Sequence, residues 1–158
     1  MSIEIGNETA APLDLEEARE LAAHVLAQMR IHPLAEVAIR FVDEPTMSEL
    51  HVQWMDLEGP TDVMSFPMDE LRPDGEEGML GDIVVCPAVA AAQAKAAGHS
   101  TMDEVLLLVA HGLLHLMGYD HAEPEERAEM FGLQRHLLLT WFAEREPGRT
   151  SVPEPTED

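Results

Sequence analysis

The chain has 158 residues, 46% of them hydrophobic, with 9 basic against 31 acidic side chains and a formal net charge of −22. That size and composition fit one globular domain with one core, and the charge opposes broad, non-specific binding to polyanions. A single cysteine, Cys86, excludes an internal disulfide, the first residues lack the basic and apolar regions of a secretory signal, and the longest apolar run, VLLLVA at 105–110, is too short to span a bilayer.

The expectation is a soluble, cytoplasmic protein with no membrane partner. SIEI at 2–5 reads as a first strand, and Asp14 with Glu17 three positions later resembles a capping box opening a helix to about Arg30. EVAIRFVD at 36–43 alternates Val37, Ile39 and Phe41 with Glu36, Ala38 and Arg40, the period of a half-buried strand. A short helix from Thr46 to Met55 is followed by a turn over Leu57–Pro60, and TDVMSF at 61–66 reads as a strand between two prolines. RPDGEEG at 72–78 reads as a hairpin-like connection or exposed loop, and GDIVVC at 81–86 as a strand in which Cys86 is a small buried hydrophobe.

Three helices complete the body: 88–97, ended by Gly98; the most apolar one, Met102 to Met117; and 123–142, which opens with acids and a proline. Strands interleaved with helices predict an α+β domain, a small mixed sheet packed with helices, over residues 1–143. EREPGRTSVPEPTED at 144–158 is expected to be an acidic, proline-rich, disordered tail.

HGLLHLMGYDH at 111–121 carries the chemistry. On a helix His111 and His115 lie one turn apart and can reach one ion, whereas a continued helix would carry His121 about 15 Å from His111. Gly118 provides the break, since glycine accepts the left-handed backbone that ends helices, and the next three residues can fold His121 back. The reading is a three-histidine metal centre at the end of the central helix. Three neutral imidazoles and a vacant position form a catalytic zinc arrangement that makes water a nucleophile near neutral pH. Nickel, cobalt and iron suit the same ligands.

The spacing HxxxHxxGxxH is also that of metzincin proteases, but their general-base glutamate follows the first histidine, and here that position is Gly112. Asp120, the tentative catalytic residue, has three readings: it orients a histidine, acts on the attacking water, or caps the next helix. His24, His32, His51, His99 and His136 show no clustered spacing and read as surface or satisfied core.

HGLLHLMGYDH resembles the signature HGxLHLxGYDH of the YbeY family of bacterial endoribonucleases. PTDVMSFP at 60–67 resembles that family's PTDVLSFP strand, LGDIVVCP at 80–87 its LGDIxIxP strand, and the helix with Met130 and Gln134 its final segment, so the likeness covers about residues 2–140. The resemblance implies one Zn2+ on His111, His115 and His121 and metal-dependent cleavage of single-stranded RNA. It further implies maturation of ribosomal RNA, especially the 3′ end of the small-subunit RNA, and ribosome quality control, with ribosomal RNA and the small subunit as partners.

The chain departs from the family where LNxxYR is usual before the PTDV block: it has LHVQWM at 50–55, with Met55 at the arginine position. A guanidinium suited to phosphate is lost there. An RNA phosphodiester is expected along the TDVMSF edge strand, bound by Thr61, Asp62, Ser65 and Arg72, with Arg40, Arg72 and Arg127 as candidates for a local basic groove. Two other readings stand beside the nuclease. One is a zinc metallopeptidase; the other is a non-catalytic ribosome assembly factor in which zinc fixes the last two helices.

Overall fold

Residues 2–55, 59, 61–149 and 151–154 are described by the computed structural model. The strands are β1 (Ser2–Asn7), β2 (Glu36–Phe41), β3 (Val63–Pro67) and β4 (Met79–Val85); the helices are α1 (Leu15–Gln28), α2 (Glu44–Met55), α3 (Pro87–Ala97), α4 (Thr101–Leu116) and α5 (Pro124–Arg145). The sheet order is β1-β2-β4-β3, with β1, β2 and β4 parallel and β3 antiparallel to β4. This is the expected α+β domain, and β3 is an edge strand. The turn expected at Leu57–Pro60 falls mostly outside the described residues.

Alternation along the strands divides the interior in two. Val37, Ile39, Phe41, Ile83 and Val85 point into the main core, which α1, α4 and α5 cover. Val42, Met64, Val84 and Cys86 point the other way, where they meet Met47 of α2 in a smaller cluster edged by Leu50, Phe66 and Val89. Cys86 is fully buried, as a small hydrophobe.

Local chemistry sets the helix ends. Asp14 caps α1 by accepting from the Glu17 N–H at 3.0 Å, but the Glu17 carboxylate turns to Arg145 instead of closing the box. Arg30, with φ of 56°, takes the left-handed turn after α1 that a glycine would have signalled. Asp43 accepts from the Thr46 N–H at 3.0 Å, which starts α2 two residues earlier than expected. Ser100 caps α4, and Glu123 with Glu126 forms a capping box at α5.

α4 runs through the middle of the molecule, with eleven of its residues from Glu104 to Leu116 buried. Glu104 is paired at 2.5 Å with Nε2 of His99. The segment expected as a tail begins as the last turn of α5, so that helix ends at Arg145 instead of 142. Arg149 then lies 3.7 Å over the Phe142 ring and pairs with Asp103, Arg135 pairs with Glu154, and Val152 is buried.

Candidate metal centre

The end of α4 assembles the histidines. His111 and His115 project from its last turns, and the helix closes in a Schellman motif: the Tyr119 N–H bonds to the Leu114 carbonyl at 3.1 Å and the Gly118 N–H to the His115 carbonyl at 3.0 Å. Gly118 has φ of 98°, the break its sequence position foretold. The chain reverses there, and His121 returns to the other two. The ligand atoms of all three lie within 4.8 Å of one another, and the ring centroids are 4.6, 5.2 and 5.2 Å apart.

The donor set fits a transition-metal ion. Nε2 of His111 and Nε2 of His115 are 3.1 Å apart, close to the roughly 3.3 Å between two nitrogens on one tetrahedral zinc. The Gln134 side-chain oxygen, buried on α5, accepts from Nδ1–H of His111 at 2.9 Å, which leaves Nε2 as the lone-pair donor. Burial first, and the neighbouring His115 second, pull the His111 imidazole from 6.5 down to about 4; burial and then His121 also lower His115. At neutral pH these rings are uncharged, the state in which imidazole binds metal.

The triad forms one wall of an open cleft of about 490 Å³ whose other walls are β3 and α2. Thr61, Asp62 and Ser65 line it, so three of the four expected substrate contacts come together with the three histidines. Their side chains are differently engaged. Asp62 accepts from the Val63 N–H at 2.7 Å and from the Gln93 amide at 3.3 Å, so its carboxylate braces the start of β3. Ser65 donates to the Gly112 carbonyl at 3.1 Å, pinning α4 to the edge strand.

Gly112 is required by that contact. A Cβ there would stand 2.9 Å from Cγ2 of Ile83 and 3.3 Å from Oγ of Ser65. The position faces the sheet, so a glutamate could not enter without displacing β4.

Arg72 stands apart from the cleft. Its side chain is 83% exposed, near Glu70, in a neighbouring depression that reaches His115. Of the other candidate arginines, Arg40 on β2 is clamped by Glu8, while Arg127 lies 5.0 Å over Phe131, whose ring leans on His121 at 5.5 Å. Asp120 accepts from the His121 N–H at 2.7 Å, which tightens the connector; the cap of α5 is Glu123.

Sequence reasoning missed the role of Gln134 and placed His51 among unremarkable histidines. His51 lines the cleft, held by a 2.9 Å bond to the Gly59 carbonyl, and Trp54 lines it beside him on α2. Their spacing of three on a helix adjoining the TDVMSF strand was the available signal.

Comparison with known proteins follows the same lines. The family model described as Endoribonuclease YbeY matches residues 4–141. Endoribonuclease YbeY of Clavibacter sepedonicus is 61% identical over 154 residues, covering 94% of this chain and all of that protein. The Kineococcus radiotolerans protein of the same name is 58% identical, covering 99% of this chain and 94% of its own. The solution structure of TM1509 from Thermotoga maritima superposes with a TM-score of 0.65 at 28% identity, covering 94% of this chain and 99% of that one. The chain belongs to the YbeY endoribonuclease family.

Proposed function

We propose that the protein is a zinc-dependent endoribonuclease specific for single-stranded RNA, which acts in the cytoplasm on ribosomal RNA, at the 3′ end of the small-subunit RNA, and in ribosome quality control. The observation that carries this reading is the convergence of three imidazoles on a cleft beside an edge strand, in a chain of an endoribonuclease family. A bound divalent ion supplies Lewis-acid charge for a phosphodiester and lowers the pKa of water.

The chain's own residues prepare the site for that ion. Gln134 fixes the tautomer of His111, and the low pKa of that ring keeps its lone pair available in mild acid. Asp120 holds the connector that returns His121, and Ser65 holds α4 against β3. The metallopeptidase reading is the weaker one, because the glycine at 112 faces Ile83 and leaves no place for the glutamate such an enzyme needs.

The test is His115→Ala beside the parent, with elemental analysis and an assay on single-stranded and duplex RNA under chelation and metal restoration. The variant is expected to lose both metal and cleavage, and full cleavage by the metal-free variant refutes the proposal. If metal-loaded parent associates with small subunits yet cuts no RNA, the assembly-factor reading replaces it. Zinc rather than nickel, cobalt or iron in the purified protein is the expected composition.

A further inference from the structure

Four large apolar side chains are well exposed among the described residues: Leu34, Val52, Trp54 and Met68. Trp54 alone of these lines the cleft that holds the histidines. Its side is 59% exposed, and it follows His51 by one helical turn, so both stand on the face of α2 turned to the cleft. Phe66 of β3 meets the indole in a T-shaped contact, with centroids 5.8 Å apart and planes at 73°. The brace restricts the indole while most of it stays in water, so a flat partner could be received with little further loss of rotamer freedom.

The charges narrow the choice of partner. No lysine or arginine is among the described residues that line the cleft. The acidic surface repels a phosphate backbone, and ion pairing along the cleft walls cannot offset that. An uncharged heteroaromatic ring meets no such repulsion, and stacking supplies affinity without cations.

We propose that Trp54 is a stacking platform for an unpaired nucleobase of the RNA strand whose phosphodiester lies at the histidine triad. The inference rests on the endoribonuclease reading and adds a basis for strand selection. A base inside a duplex has both faces occupied by its neighbours and cannot cover the indole without leaving the stack. Trp54 is a substrate-binding residue, remote from the proton transfers.

Binding of a labelled single-stranded 2′-O-methyl octanucleotide to zinc-loaded protein, followed by fluorescence anisotropy, tests this alongside tryptophan emission. In the parent, binding is expected to quench emission; Trp54→Phe, which keeps the buried Trp141, loses that signal while retaining most affinity. Trp54→Leu is expected to weaken binding about 5- to 150-fold, the range of base–aromatic stacking, and to raise KM with a smaller change in kcat. Zinc content and the thermal midpoint should stay at parent values. An oligonucleotide with abasic sites should bind without quenching.

Parent-like affinity in Trp54→Leu, or equal quenching by the abasic strand, overturns the inference and leaves the nuclease reading intact if the parent still cuts RNA. A zinc-loaded parent that neither binds nor cuts single strands overturns both.

Discussion

Replacing Gly112 with alanine isolates the contact that seats the histidine-bearing helix on the sheet. The added Cβ would sit 2.9 Å from Cγ2 and 3.3 Å from Cδ1 of Ile83, a side chain with no exposed surface and no room to retreat. Overpacking of this kind costs about 1–3 kcal/mol, and the gain in helix propensity from glycine to alanine offsets about 1 kcal/mol. Gly112→Ala should therefore destabilise by roughly 0–2 kcal/mol, or up to about 8 °C in thermal midpoint.

The partner change Ile83→Ala removes both offending carbons, at a cost of about 2–5 kcal/mol by itself. Within that background the added Cβ meets only Oγ of Ser65, at 3.3 Å, so Gly112→Ala should stabilise by up to about 1 kcal/mol. A four-corner cycle of urea denaturation, all at one pH with metal removed, reads the coupling, expected at about 1–3 kcal/mol. If alanine stabilises equally with Ile83 present or absent, the glycine is not there for close packing, and the argument against a glutamate at that position fails with it.

Three further outcomes follow from the site. Gln134→Leu leaves the Nδ1–H of His111 without its acceptor, so zinc affinity measured by competition with a chelator should fall about 10- to 100-fold. Gly118→Ala forces a side chain into φ of 98°, which should lower stability by about 1–2 kcal/mol in thermal melts, and a parent-like melt would show that the turn relaxes freely. The metal-free protein should also weaken in acid. Because the His111 pKa is lowered from 6.5 to about 4 in the fold, its contribution is complete above pH 6.5 and is lost as pH falls towards 4. It amounts to at most about 3 kcal/mol. Urea midpoints of the parent across that window, compared with His111→Ala, measure it.

What could be read from the chain without coordinates was whatever local spacing controls. The alternation of Val37, Ile39 and Phe41 gave β2 its buried face, and the imidazoles at 111, 115 and 121 about Gly118 gave the histidine cluster, since all of it is fixed within eleven consecutive residues. Gln134 was out of reach because its meeting with His111, 23 positions away, depends on how α5 crosses α4. His51 and Trp54 showed only their spacing of three on a helix: they reach the cleft because β3 adds antiparallel at the sheet edge and α2 covers its far face. Arg30 ends α1 without a glycine, and Arg72 lies in a connection whose course no periodicity records.

The unequal division of the interior bears on how the molecule moves. α2 is anchored by a handful of side chains around Met47, whereas α4 is embedded in the main core. Regions with few buried apolar anchors open at a lower free energy than the whole molecule unfolds. The two sides of the cleft are thus unequal in rigidity: the histidines ride on the stiff interior, and His51 and Trp54 on a lightly fastened flap. Amide protons of α2 should accordingly exchange with solvent well before those of α4.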